Sequence, residues 1–138
     1  MRELIIDTNA LISFVTDRNL EQQEKVSELF LSAGRLQTII LCPQHVITEF
    51  VYVLEKIYGQ PKDQIRQMVA DLIALPGIQI IHETDFNWVL KYWPEKIGDY
   101  GDALLAAIAK VRKEAQIVTF DQKLISALKK VGLRTAIL

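Results

Sequence analysis

The sequence predicts an α/β domain, with a central, mostly parallel sheet of about five strands between two layers of helix. Three observations predict it. Short apolar runs alternate along the chain with longer amphipathic ones, as strands do with their crossover helices. The apolar runs at 38–42 and 78–81 are largely continuous rather than alternating, the pattern of strands covered on both faces. With 138 residues, half of them hydrophobic, the chain is one domain long and can bury roughly two-thirds of its unfolded surface.

Residues 4–6 read as the first strand and 10–15 as a short helix entered through Thr8 or Asn9, both suitable caps. A helix at 21–33 turns Val26, Leu29 and Phe30 inward and ends at Gly34. The strand at 38–42 is bounded by Pro43. Helices follow at 44–58, stopped by Gly59, and at 62–75, closed by Pro76 and Gly77. In the second of these Ile65, Met68, Val69, Leu72 and Ile73 form one apolar stripe, either core or the face of a dimer. Residues 78–81 read as a strand, 85–93 as a helix, 94–100 as a loop, 103–113 as a helix and 117–120 as a strand. A helix at 122–130, closed by Gly132, and a last strand at 135–138 complete the order. No repeat, low-complexity tract or linker interrupts it, so residues 1–138 are expected to form a single domain.

No apolar run approaches the ~20 residues that cross a bilayer, and the N-terminus carries Glu3 and runs straight into a strand, unlike a signal peptide. The lone Cys42, following Ile40 and Leu41, excludes an intramolecular disulfide and reads as a buried thiol. A cytoplasmic protein without membrane contact is expected. The net charge of −1 argues against a nucleic-acid ligand, since phosphate binding usually goes with a basic excess. Lys110, Arg112, Lys113, Lys129, Lys130 and Arg134 nevertheless gather in the last third, as a basic surface or as solvated helix faces.

Five acids stand out by position. Sites in open α/β sheets form outside the carboxyl ends of the strands, and Asp7 and Asp121 directly follow two predicted strands. Helix capping is the alternative role for both. Glu49 lies in Val46-Ile47-Thr48-Glu49-Phe50-Val51-Tyr52-Val53-Leu54, a segment apolar around nearly its whole circumference. Such a helix is expected to be buried, and a buried carboxylate needs a cation or a metal, unless Glu49 sits at its rim. Asp102 opens a helix at Gly101-Asp102-Ala103, where the dipole favours an ionised carboxylate. Asp99, three residues earlier, is an equal candidate for cap or site.

If these acids converge, two carboxylates ~5 Å apart repel by on the order of 3 kcal/mol at an effective dielectric of ~20, and four acids make about six such pairs. A divalent cation or raised pKa values must offset this. His45, His82 and Cys42 are the only nitrogen or sulfur ligands in the sequence, so zinc is disfavoured, and all-oxygen donors suit magnesium, manganese or calcium.

Ile5-Ile6-Asp7-Thr8-Asn9-Ala10-Leu11, Thr48-Glu49-Phe50, Gly101-Asp102-Ala103-Leu104-Leu105-Ala106-Ala107 and Val118-Thr119-Phe120-Asp121 resemble, in order, the successive motifs of the PIN-domain family. The resemblance covers essentially the full chain and is closest to the small bacterial and archaeal VapC-like toxins. It implies a PIN-like α/β/α fold and a catalytic, metal-binding quartet of Asp7, Glu49, Asp102 and Asp121 holding Mg²⁺ or Mn²⁺. Asn9 matches a residue that steadies the first acid, Thr119 a hydroxyl beside the last, and Asp99 is a fifth carboxylate or the rival of Asp102. The implied activity is metal-dependent hydrolysis of RNA phosphodiester bonds, with Trp88, Tyr92, Trp93 and Tyr100 stacking bases or merely packing. The implied partners are RNA, a small antitoxin protein and a second copy of the chain in a homodimer. A non-catalytic PIN-like module that binds RNA or protein is the alternative. A haloacid-dehalogenase-type phosphatase would need a second Asp where Asn9 stands, and a receiver domain an acidic pair that is absent.

Overall fold

The sheet of the computed structural model, which describes residues 1–136 and 138, is built on β1 (Arg2–Ile6). Leu4, Ile5 and Ile6 in this strand are completely buried. Around it the order is β3-β2-β1-β4, with every neighbouring pair parallel. The second inner strand, β2 (Thr38–Pro43), is buried nearly throughout, which accounts for its largely continuous apolar sequence. At the edge, β3 (Ile78–Ile81) leaves Gln79 exposed, while β4 (Gln116–Val118) buries Ile117 and Val118.

Parallel pairing requires crossovers. They are supplied by α1 (Thr8–Val15) and α2 (Leu20–Gly34), then α3 (Gln44–Lys56) and α4 (Lys62–Ala74), then α5 (Phe86–Tyr92) and α6 (Tyr100–Val111); α7 (Gln122–Lys130) follows β4. Helices flank the sheet in a PIN-like α/β/α arrangement, and one core of Leu, Ile, Val, Ala and Phe joins its layers. No described helix is long and apolar enough to cross a membrane.

Several boundaries differ from the expectation. The sheet has four strands among the described residues rather than about five. The segment expected as a last strand at 135–138 makes an isolated parallel bridge, Thr135 to Ile117, because β4 is only three residues long and Ile117 alone offers its outer edge. Ile137 lies outside the described residues. The strand predicted at 117–120 ends at Val118, and Thr119 and Phe120 leave the sheet. The loop predicted at 94–100 stops at Asp99, whose carboxylate accepts the N–H of Asp102 and starts α6 at Tyr100. Likewise α1 is capped by Asp7, not by Thr8 or Asn9. Finally, α3 is not buried all round: Val46, Phe50 and Leu54 face the core at four-residue spacing, and Tyr52 is 61% exposed. In α4 Ile65 and Leu72 face the core, while Ile73 is exposed.

The turn from α4 into β3 is held closely. Gly77 has φ of +80°, and a Cβ there would run into the Ala33 carbonyl and stand 2.9 Å from the Thr38 oxygen. Its own carbonyl accepts the N–H of Ile40. Gly59, at φ +64°, has open space around it. Gly77→Ala is therefore expected to cost on the order of 3 kcal/mol, strain plus clash, against ~1 kcal/mol for Gly59→Ala. Urea unfolding of both variants checks this, and equal losses would count against the close packing of that turn.

Candidate active site

Adjacency of β1 and β4 brings the first two acids together. Ile6 pairs with Val118, and the N–H of Asp7 donates to the Val118 carbonyl at 3.2 Å. The two chains thus leave the sheet side by side. Asp7 is 4% exposed, and its Oδ1 accepts the N–H of Ala10 at 2.8 Å. Asp121 Oδ1 accepts the N–H groups of Lys123 and Leu124 at 2.9 and 3.2 Å. The buried Thr119 hydroxyl links the pair, accepting the Asp121 N–H at 3.1 Å and hydrogen bonding to the Asp7 carboxylate. Both acids are helix caps, and each cap engages Oδ1. Capping and a second role are therefore compatible.

From the other side α3 and α6 contribute. Glu49 is not buried as expected: its side chain is 48% exposed, on the flank of α3 at the rim of the site. Its carboxylate hydrogen bonds to Thr8 and lies 3.8 Å from His45 Nε2. That nitrogen is also 3.0 Å from the Gly101 carbonyl. A carbonyl only accepts, so His45 carries its proton on Nε2, and burial keeps its pKa below the ordinary value. Gly101 is a glycine for a steric reason, since a Cβ would sit 2.9 Å from Glu49 Oε1 and 3.2 Å from Asp99 Oδ1. Asp102 lies one residue on, in the first turn of α6 and half-buried; Asp99 is exposed at its cap.

The electrostatics show these groups in each other's fields. Asp7 is raised from 3.8 to about 6, mainly by burial, against the Thr119 and Ala10 hydrogen bonds and with a further push from Asp121. Asp102 is raised to about 7 by burial and then by Asp99, Asp7, Asp121 and Glu49, so that every other acid of the group acts on it. Glu49 is raised by burial, Asp99 and Asp7. The donor set is all oxygen, which fits a hard divalent ion. Among the described residues no three carboxylate, imidazole or thiol groups already stand close enough to enclose one. Closing a shell would take side-chain rotation or intervening water, which Mg²⁺ ordinarily retains.

Asp7, Asp121, Asp102 and Glu49 are thus brought to one place, with Asp99 on its rim. Asn9 is exposed and uses its carbonyl, which accepts from Arg18 at 2.7 Å; Asp7 is steadied by Ala10 and Thr119 instead. Of the aromatic residues, Trp88 and Tyr92 pack together and Tyr92 is buried, while Trp93 and Tyr100 form an edge-on pair at 5.2 Å next to Asp99. The basic cluster is elsewhere. Lys110 lies about 12 Å of helix rise from Asp102, over the Trp88 ring, and Arg112 and Arg134 reach Glu3 and Glu114. Sequence reasoning missed Arg18, Thr8, His45 and Gly101 as neighbours of the acids. His45 was legible in principle, four residues before Glu49 on one helix face; Arg18, in a loop, gave no signal.

Fold and site together define an α/β protein with an acidic centre where the strand order of a parallel sheet switches direction, outside the C-terminal ends of β1 and β4. The chain belongs to the PIN-domain family, which matches it over residues 4–130. A VapC ribonuclease of Aquifex aeolicus (strain VF5) is 23% identical over 131 residues, covering 95% of this chain and 93% of that protein. Among solved structures, VapBC2 from Rickettsia felis bound to a DNA fragment from their promoter aligns with a TM-score of 0.67 at 17% identity, covering 97% of each chain. PAE2754 from Pyrobaculum aerophilum aligns with a TM-score of 0.62 at 17% identity, covering 91% of this chain and 86% of that one. At such identities the structural likeness is one of fold.

The raised carboxylates set a pH dependence. Asp7 and Asp102 bind protons more tightly folded than unfolded. Their contribution to stability is full below about pH 4 and is lost as pH rises through about 6 and 7. Without metal, Asp7→Asn is expected to exceed wild type by roughly 2 kcal/mol at pH 8 and to lose that advantage near pH 4. Urea unfolding in chelator at both pH values measures the difference; a variant no more stable at pH 8 would mean the carboxylate is already compensated.

Proposed function

We propose that this protein is an Mg²⁺- or Mn²⁺-dependent endoribonuclease of the VapC type, the toxin of a type II toxin–antitoxin pair. The observation that carries the reading is the convergence of Asp7, Glu49, Asp102 and Asp121, from four separate segments, close enough that Asp7, Glu49 and Asp102 are each raised by other acids of the group. Similarity to a VapC ribonuclease along 95% of the chain supports it. RNA as substrate, an antitoxin as silencing partner and a homodimer as assembly belong to the same reading.

Asp7 and Asp121 are the fixed part of the site, each held by backbone N–H groups of the helix it caps. Asp102, half-buried between them and Glu49, would complete the ligand set. A divalent cation held there would neutralise charge at the phosphate and lower the pKa of a water for attack. Glu49, at the rim, would orient the attacking water. Thr119 keeps Asp7 and Asp121 in register. Trp93 and Tyr100, both partly exposed beside Asp99, offer aromatic faces to unstacked bases.

The test is a titration of Mg²⁺, Mn²⁺ and Ca²⁺ into metal-free protein, following thermal unfolding and cleavage of a mixed single-stranded RNA pool. Metal at one hundred times its dissociation constant should stabilise wild type by about 2.7 kcal/mol. Cleavage should require Mg²⁺ or Mn²⁺, and Asp7→Asn should lose most of both effects. Metal binding without cleavage of any RNA would replace the nuclease with a binding module, and no metal response would remove the site.

A further inference from the structure

Arg18 lies in the loop between α1 and α2, and its side chain turns back along α1 toward the acids. Its Nε and Nη2 donate to Ser13 Oγ at 3.1 and 2.9 Å, and Nη2 also donates to the Asn9 carbonyl at 2.7 Å. Ser13 is completely buried, and its hydroxyl donates a hydrogen bond to Gln22 Oε1 at 2.9 Å. One edge of the guanidinium is therefore held by Ser13 and the Asn9 carbonyl, and Nη1 makes no protein hydrogen bond among the described residues. No described carboxylate lies within ion-pair distance of Arg18, although Asp17 is its neighbour in sequence. The Asn9 carbonyl it holds belongs to the first turn of α1, two residues from Asp7, so this is not a cap on the C-terminal end of that helix.

A phosphodiester strand approaching four or five carboxylates meets repulsion that a cation in the centre offsets only locally. Of the basic residues gathered in the last third of the chain, Lys110, Arg112 and Arg134 are engaged with Trp88, Glu3 and Glu114. The charge of Arg18 acts on a site acid, opposing the rise at Asp7. An oriented, unpaired guanidinium is suited to a phosphate, because its planar fork offers donors in fixed geometry.

We propose that Arg18, seated on Ser13, Gln22 and the Asn9 carbonyl, is a phosphate-binding residue that grips the RNA backbone beside the scissile bond. This rests on the ribonuclease reading above. The bond to RNA is direct, whereas Ser13 and Gln22 are positioning residues that act through Arg18.

The test compares Asp121→Asn with Asp121→Asn/Arg18→Gln for binding of a short single-stranded RNA in Mn²⁺, by fluorescence anisotropy across a salt series. Arg18→Gln should weaken binding about tenfold and reduce the slope of log affinity against log salt by about 0.7, the value for one phosphate contact on a single strand. Arg18→Lys should keep the slope and recover part of the affinity. Arg18→Gln alone should raise KM more than it lowers kcat, with its unfolding temperature within about a degree of wild type. If affinity and slope are unchanged while wild type cleaves RNA, Arg18 is not a phosphate ligand and the nuclease stands. A lowered unfolding temperature with an unchanged slope would make Arg18 a staple of the α1–α2 loop and overturn the proposal. Wild type that neither binds nor cleaves RNA would remove both readings.

Discussion

Asp7 donates its backbone N–H to the carbonyl of Val118, and the rest of the site follows from what that bond joins. It extends the parallel β1–β4 ladder one residue past Ile6 and Val118, so that two segments far apart in sequence emerge at one edge with their acids abreast. Since β2 lies on the other side of β1, the helix that follows β2 brings Glu49 to the same edge. The helix that enters β4 starts there too and brings Asp102. A different strand order with the same elements would scatter the four acids.

The fold partly answers the repulsion it creates. Asp7, Asp99 and Asp121 each cap a helix, so the N-termini of α1, α6 and α7 all lie among the acids. A helix N-terminus carries roughly half a positive charge, so three supply about +1.5 against four or five carboxylates. Arg18 adds one more at the edge. The deficit is of the size that one or two divalent ions would fill, and in their absence burial and mutual repulsion hold Asp7 and Asp102 near neutral pH. Rigidity matters as much as charge. The caps and the Thr119 bridge fix Asp7 and Asp121 through backbone groups, whereas Glu49 hangs from an exposed flank with only Thr8 and His45 nearby.

Much of this was legible in the sequence, for identifiable reasons. Buried stretches of parallel strand must be apolar, so residues 4–6 of β1 and most of β2 announced themselves, and Asp7 and Asp121 were conspicuous as charges where apolar runs stop. Termini of elements were less legible. Asp7 and Thr8 are both acceptable caps by type, and only the position of Ala10 decides between them. The extent of a last strand depends on how much edge β4 leaves, which no property of residues 135–138 encodes. Glu49 misled because α3 was read as buried all round, whereas Val46, Phe50 and Leu54 alone are fully buried, Val51 and Val53 only partly so, and Tyr52 is exposed. The contacts that tune the site, Arg18 to Asn9 and His45 to Gly101, span loops and separate helices. Local pattern carries no trace of them.

The same contacts bear on metal identity. His45 is the nitrogen ligand nearest the acids, and it would normally open the site to zinc. Here its Nε2 carries a hydrogen directed at the Gly101 carbonyl, so the lone pair needed for ligation on that side is taken up by a proton. His82 is exposed and engaged with Gln44 Oε1, and Cys42 is buried with its thiol pushed up to about 12, far from the thiolate a soft metal requires. Burial withdraws Cys42, whereas each histidine keeps its other ring nitrogen as a free acceptor, so the carboxylates dominate the donors here by number. Oxygen-only coordination selects hard cations over zinc by ligand type rather than by raw affinity. The hydrogen bond that ties α3 to α6 therefore fixes the tautomer of His45 beside the acids and leaves Nδ1 as its one acceptor nitrogen.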